Sequence, residues 1–511
     1  MALSKNYHYW NFNNNIQEKG VYINIINNKN IINNNNNKYQ DAWNKLPDII
    51  LEQIYEYLTR RERYYASLVC KNWYRAFKLP KVWSTFVLDD TTLTRGKFNY
   101  YSGWQYVLDH IRASTCFNKI GRNFKTLILE PNNNFQQLYQ FMSMMSWYAE
   151  RHLGCDFTSD IDNAVGTNIR YLKFKFPCNM ANDNQRGEIK IFGTGGEILA
   201  ALKRLAANFL NLQILEFIDL MLDTKEALVL LDEICINCTE TLKKLVLINT
   251  TKFYCPLIHI GVFINLNVLI VSPQNIDADV LDLIGYTKLE HLHIFQNIYS
   301  PVASDIVKLP KNNSWIKLRK NNPRLKVHLE IESNKIETKL PIEFPGHSMI
   351  PCHSIVLNNP FDRVSASILL AQSIIFFPTI QVFAMKGLSK YYQDRNSSKR
   401  CDGNILQLCK SSPNIHTLMI RDKISTSTIL EIASTTKSLK YLHVRRNYVL
   451  KKFDKLWKNT TTDTSQQHEQ WIKINSSFYE KTEHEISKIL GYRWNMLSEK
   501  EFINQKINLH V

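Results

Sequence analysis

Leu242-Lys-Lys-Leu245-Val-Leu247, Leu266-Asn-Val-Leu269-Ile-Val271 and Leu289-Glu-His-Leu292-His-Ile294 share one pattern, an apolar residue at positions 0, +3 and +5. The last two apolar residues of each triplet are two apart, so they share one face of a strand. The triplet recurs as Phe124/Leu127/Leu129, Ile169/Leu172/Phe174 and Leu212/Leu215/Phe217. It returns as Ile380/Phe383/Met385, Ile415/Leu418/Ile420 and Leu439/Leu442/Val444. Helical stretches lie between many of them: Glu197 to Leu210, Lys225 to Ile236 and Ile405 to Cys409. Strands alternating with helices predict an α/β fold.

This alternation, mostly at irregular intervals of about 23 to 55 residues, resembles leucine-rich repeats, whose period is about 20–29 residues. The resemblance implies a curved solenoid spanning residues 89–450, in degenerate form. It also implies turn-bonding roles for Asn132, Asn297 and Asn447. Residues 322–329 read as a strand out of register with the triplets. The stretch 333–379, with Pro341, Pro345, Pro351 and Pro360, reads as a long insertion. From 451 to 511 a helix at His484 to Leu490, followed by Gly491-Tyr492-Arg493-Trp494, reads as a cap on the open end.

Asparagine dominates residues 11 to about 40. Such a tract buries too little apolar surface to offset its ordering entropy, so 1–41 is expected to be disordered. Composition then shifts to Leu46-Pro47-Asp48-Ile49-Ile50-Leu51-Glu-Gln-Ile54-Tyr-Glu-Tyr57-Leu58. Pro47 and Asp48 suit a helix start. Ile50, Ile54, Tyr57 and Leu58 form one stripe at helical spacing. Thr59 and Glu62 predict a capping box that restarts the helix. A second helix carries Tyr65, Leu68 and Val69, and a third runs through Trp73, Ala76 and Phe77 to end before Pro80. Three short helices this apolar form little core alone, so part of their surface should face a partner.

Residues 42–88 resemble the F-box on Leu46-Pro47-Asp48, Ile54, Leu58 and Leu68-Val69-Cys70-Lys71-x-Trp73. One departure is Arg61-Glu62-Arg63, where many F-boxes carry an acidic residue followed by leucines. The resemblance implies binding to Skp1 and, through it, to a cullin scaffold. It implies that Leu46, Pro47, Ile50, Ile54, Leu58, Leu68, Val69 and Trp73 make the Skp1 contact. The order of modules with a Gly-Tyr-x-Trp tail is similar to the F-box only protein 33 and 39 group. The function these resemblances imply is that of a substrate-recognition adaptor of a Skp1–cullin–F-box ubiquitin ligase, itself not an enzyme, with an unknown protein substrate.

The residues that alternate with the triplets, Val246, Ile270, His293, Arg421 and Arg445 among them, would form the substrate face, or else the stretch 333–379 or the tail folds over that face and buries it. Lys71, Arg75, Lys78 and Lys81 make the F-box region basic. The 511 residues carry 63 Lys+Arg against 46 Asp+Glu, a formal charge of +17. That surplus favours acidic partners, and the competing reading is a basic repeat protein binding nucleic acid. It is disfavoured because the basic residues are spread along the chain instead of clustering on one surface. No secretory signal opens the sequence and no window suits a membrane span. The scattered cysteines suit reduced thiols in the cytoplasm or nucleus.

No catalytic residue, cofactor or metal site is expected. Cys235, Cys238, Cys255 and His259 have zinc-like spacing, but a strand intervenes and buried cysteine also serves as a small core residue. Gly193-Thr-Gly195-Gly196-Glu197 follows a strand and opens a helix. The phosphate-loop lysine is missing, so a tight turn is expected there.

Overall fold

The computed structural model describes residues 43–101, 103–153, 165–179, 181–182, 189–190, 192–299, 307–332, 342–343, 352–358, 379–390, 395, 400–454, 463–507 and 509. The asparagine-rich tract lies outside them. The chain divides into two compact units, 1–171 and 172–511. No helix among the described residues is long and apolar enough to cross a membrane.

The first unit begins with three short helices, α1 (Asp48–Tyr57), α2 (Arg60–Ser67) and α3 (Lys71–Ala76). Pro47 caps α1 with Asp48 in its first turn. Thr59 and Glu62 form the expected capping box at α2, satisfying two backbone donors reciprocally. The stripe that α1 buries is Leu51 and Tyr55, not Ile50 and Tyr57, which are exposed. Leu51, Tyr55, Ala76, Phe77, Val82 and Trp83 make a small core, with Leu46, Leu58 and Trp73 packed against it. The Tyr55 hydroxyl donates to the Trp73 carbonyl at 2.9 Å, so burying the ring leaves no orphan polar atom.

After the helices, β1 (Thr85–Leu88) gives way to the antiparallel hairpin β2 (Thr94–Asn99) and β3 (Gly103–Leu108). Helix α4 (His110–Ile120) leads to β4 (Thr126–Leu129), which pairs parallel with β1, and α5 (Phe135–Leu153) follows. Asn132 is buried and accepts from the Asn134 backbone at 2.6 Å, the turn-bonding role expected of it.

In the second unit a parallel sheet runs in chain order. Its strands are β5 (Tyr171–Lys175), β6 (Ile214–Ile218), β7 (Lys244–Ile248), β8 (Val268–Val271), β9 (His291–Gln296) and β10 (Lys326–Glu332). They continue through β11 (Cys352–Asn358), β12 (Val382–Met385), β13 (Thr417–Ile420) and β14 (Tyr441–Val444). Each strand lies beside its predecessor, an order that puts the helices described between them on one face. Those helices are α6 (Gly196–Ala207), α7 (Thr224–Leu228), α8 (Asp232–Cys238), α9 (Ala278–Ile284), α10 (Asn312–Asn321), α11 (Asp402–Ser411) and α12 (Thr426–Thr435). The triplet residues fill the core: Leu215, Phe217, Leu245, Leu247, Leu269, Leu292 and Ile294 are all buried.

Three expectations need correction. The single helix expected at Lys225 to Ile236 is split into α7 and α8. Lys326–Glu332 is a full sheet member, in register with β9 from His291↔Lys326 onward. The stretch expected as an insertion contains β11, paired with β10 and β12; most of the rest of 333–379 lies outside the described residues.

A buried polar ladder ties the ends of β6, β7 and β9 together. Asn249 donates to Asp219 at 3.0 Å and Asn297 donates to Asp219 at 2.8 Å. Asn297 also accepts from the Tyr299 backbone at 2.8 Å, as expected. Asp219 and Asn249 adopt left-handed backbone, φ 61 and 48, which short polar side chains tolerate best. Asn447 instead lies exposed in a 3-10 turn and takes no such role.

The C-terminal helices are α13 (Asp463–Asn475), α14 (Tyr479–Leu490) and α15 (Glu499–Asn504). Gly491 ends α14 in left-handed backbone, φ 78, where glycine carries no Cβ penalty. The Trp494 indole donates to the Leu442 carbonyl at 2.6 Å. Leu497 donates to the Val444 carbonyl and accepts from the Arg446 backbone, both at 2.9 Å. The segment thus extends the β14 edge. Phe502 packs on Val356, Ala384 and Met419, on the sheet face opposite the triplets.

Candidate partner-docking surfaces

The helical module keeps apolar side chains on its outside. Leu68 and Val69, at the turn into α3, are 60% and 62% exposed, and Ile49, Ile50, Tyr57 and Tyr65 are exposed on α1 and α2. Exposed apolar residues gathered on a small module make it a candidate contact site. Of the residues expected at the Skp1 contact, Pro47, Ile50, Leu68 and Val69 face water. Leu46, Ile54, Leu58 and Trp73 are partly buried, and all but Ile54 pack on the module's own core. The Trp73 ring lies edge-on to Tyr55, centroids 5.9 Å apart, and its indole donates to the Trp43 carbonyl at 3.1 Å.

The arginine departure has a structural use. Arg63 donates to the carbonyls of Tyr55 at 2.9 Å, Leu58 at 3.0 Å and Val82 at 2.6 Å. Arg60 bonds Asp89, Thr92 and the Val87 carbonyl. Arg61 stays exposed over Tyr65. Around the module, Arg75 pairs with Asp48 at 2.8 Å and Lys81 with Glu56 at 3.3 Å, while Lys71 and Lys78 are exposed. Exposed pairs of this kind contribute little stability.

On the sheet face opposite the crossover helices, the five expected substrate contacts have different surroundings. Ile270 is half-buried, Val246 and His293 are buried, and Arg421 and Arg445 are only 2% and 1% exposed. Arg445 donates to the Arg421 carbonyl at 2.7 and 3.0 Å and to Ser389 at 3.0 Å. Its guanidinium stacks 3.6 Å from the Tyr448 ring centre. Arg421 donates to Asp422 at 3.2 Å and to the Lys386 carbonyl at 3.3 Å. The expectation that both arginines stand open is therefore corrected: the C-terminal segment covers that end of the face. At the other end, Ile214, Glu216, Ile218, Lys244, Val268 and Ile270 remain half-buried.

The hairpin β2–β3 was not singled out from sequence. It exposes Phe98, Tyr100, Tyr101, Trp104 and Tyr106, with Phe98 paired to Trp104 across the strands, beside Arg95 and Lys97. The signal lay in Phe98-Asn-Tyr-Tyr-Ser-Gly-Trp104-Gln-Tyr106, whose glycine turn separates two aromatic runs.

Burial pushes the thiols of Cys116, Cys178, Cys352 and Cys409 up to about 12 and that of Cys235 to about 11. Such thiols are protonated and poor nucleophiles. The zinc-like set is apart: Cys238 Sγ faces the Phe209 carbonyl, Cys235 Sγ the His259 carbonyl, and His259 pairs with Asp232. Among the described residues, the group with metal-ligand spacing is His291, His293 and His328. At the glycine turn, a Cβ on Gly193 would sit 2.3 Å from the Met221 carbonyl oxygen. The Glu226 carboxylate accepts from Gly196 N–H at 3.2 Å, where a phosphate loop would hold its anion.

Residues 43–85 match the F-box domain family. No curated protein matches the chain.

Proposed function

We propose that this F-box-bearing chain is the substrate-recognition adaptor of a Skp1–cullin–F-box ubiquitin ligase, docking on Skp1 through the helical module. The observation that carries the reading is the family match at 43–85 coinciding with helices that leave Ile50, Leu68 and Val69 exposed. In this reading the chain supplies proximity between substrate and a ubiquitin-loaded enzyme elsewhere in the complex. The sequential parallel strands of 172–511 are degenerate leucine-rich repeats, and the substrate lies on their face opposite the crossover helices at β6–β9, around Val246, Ile270 and His293. Arg421 and Arg445, held internally, serve to anchor the covering segment. The exposed lysines around α3 speed encounter with an acidic partner more than they tighten it. The complex works in the cytoplasm or nucleus. The tail's likeness to the F-box only protein 33 and 39 group does not bear on Skp1 docking.

The test uses purified Skp1. Leu68→Asp with Val69→Asp should cost about 2 kcal/mol or more in binding, roughly thirtyfold in Kd. Both side chains face water, so the thermal unfolding midpoint should hold. Unchanged Skp1 affinity in the folded double variant would sink the adaptor reading.

A second reading rests on the aromatic hairpin. Exposed rings beside Arg95 and Lys97 suit stacking on single-stranded nucleic acid. Retention of a single-stranded oligonucleotide that falls with salt, and is lost in Trp104→Ala, would favour it.

A further inference from the structure

His291 and His293 stand two apart on β9, and His328 pairs in register with His293 on the neighbouring β10. Residues two apart share a face, and adjacent strands lie about 4.8 Å apart. The pleat therefore delivers three imidazoles to one spot on the sheet face opposite the crossover helices. Their nitrogens lie within 4.8 Å of one another. His293 and His328 are buried, and His291 is half-buried.

We propose that His291, His293 and His328 bind a first-row divalent transition-metal ion of the zinc class. Zinc–imidazole bonds of about 2.0–2.1 Å place tetrahedral ligand nitrogens about 3.3 Å apart. His291 Nδ1 and His328 Nε2 are already 3.0 Å apart. On the far side of the His328 ring, Nδ1 lies 2.7 Å from Ser354 Oγ on β11. With Ser354 Oγ accepting from Nδ1–H, Nε2 of His328 is the unprotonated nitrogen, the outer-shell arrangement typical of ligating histidine. In that state the His291 Nδ1–H donates to His328 Nε2. On metal binding, that proton moves to His291 Nε2, so three neutral imidazoles coordinate with no net proton lost.

Ring direction sets what must move. The His293 and His328 rings stack with centroids 4.3 Å apart and planes 20° apart, so their in-plane lone pairs run side by side. Closing the set turns the His293 ring about its Cβ–Cγ bond, a broad torsion in histidine. Three imidazoles select ions of the zinc, copper and nickel type over magnesium or calcium. The fourth position is left to water. The nearest carboxylate on β10, Glu330, lies 3.6 Å from the Lys386 ammonium.

Cysteine spacing gives no hint of this cluster. The signal in the sequence is His-x-His on a strand, with a third histidine at the paired position of the next.

The experiment uses the full chain, loaded with Zn2+ alone against a chromophoric chelator and then measured by zinc X-ray absorption. One equivalent should bind, with three imidazole shells at about 2.0–2.1 Å and no sulfur at about 2.3 Å. His328→Gln and Ser354→Ala should each weaken binding about tenfold or more. A sulfur shell, no stoichiometric Zn2+, or unchanged affinity in the variants would each overturn the proposal. The wild-type absorption spectrum decides alone where a variant fails to fold.

Discussion

Arg63 does the work of a core residue with a charged side chain. Its guanidinium bonds the C-terminal carbonyls of α1 and the Val82 carbonyl, contacts that a leucine there could not make. Burial pulls its pKa down from the ordinary arginine value, yet three carbonyl acceptors compensate for the lost water. Asp219 is the opposite case. Burial raises its carboxyl above the usual range, against hydrogen bonds from Asn297 and Asn249 that lower it. A folded-state pKa above the unfolded one contributes stability that is complete below the unfolded pKa and lost as pH rises through the folded one. Asp219→Asn keeps an acceptor oxygen and suits the left-handed backbone, so at pH 7 it should match or exceed wild-type stability by up to about 1 kcal/mol. The advantage should vanish toward pH 4 in denaturant titrations; a variant clearly weaker at pH 7 would show that the charge is needed. Which residues of α1 turn inward was not legible in sequence. Ile49, Ile50, Leu51, Ile54, Tyr55, Tyr57 and Leu58 cover most of the helix, so a stripe through Ile50 and Tyr57 fits the helical period as well as Leu51 and Tyr55 do. The face left outside, at Leu68 and Val69, is the one proposed to meet Skp1.

At the scale of the element, most strands announced themselves through the triplet, including β12 and β13, whose side chains are all buried. The triplets of β6 to β9, β13 and β14 were readable because +3 and +5 positions alternate with polar or mixed neighbours. In β11 nearly every side chain is buried, and between Val327 and His328 the β10–β11 register shifts. The register shift breaks the spacing, and Pro351 and Pro360 bracket the strand, so 352–358 passed for part of an insertion. The capping box at Thr59 and the turn asparagines at 132 and 297 were legible because one local hydrogen bond decides each. The covering by α15 depends on contacts far apart in sequence and was visible only as one of two alternatives. Phe502 is its anchor, fully buried against Val356, Ala384 and Met419. Phe502→Ala should cost about 3–5 kcal/mol, read as a lower denaturation midpoint and as faster amide exchange across α15. Protection equal to wild type in α15 would mean that Trp494 and Leu497 hold the segment without it.

Across the whole molecule, the helices proposed to dock on Skp1 lie within unit 1–171 and the half-open sheet face within unit 172–511. Binding to Skp1 and capture of a substrate should therefore separate by mutation. Val246 is too buried to test this cleanly, because an aspartate there costs several kcal/mol of stability; the half-buried Ile270 is the better probe. Ile270→Asp should leave Skp1 affinity unchanged while removing proteins that proximity labelling recovers with the wild-type chain. Equal recovery with both chains would move the substrate surface off β8. The net charge of +17 makes low-salt recovery a poor guide, since weak acidic proteins collect on such a surface. Finally, the sheet face under Phe502 is closed by residues that come after it in the chain. Translation at about 5–20 residues per second leaves Val356, Ala384 and Met419 bare for on the order of ten seconds before Phe502 has been made. During that interval the nascent chain exposes apolar surface of the kind that chaperones shield. A message truncated before residue 499 would yield a polypeptide that keeps the bare face for life, a quality-control target built from a protein whose proposed work is to mark others for disposal.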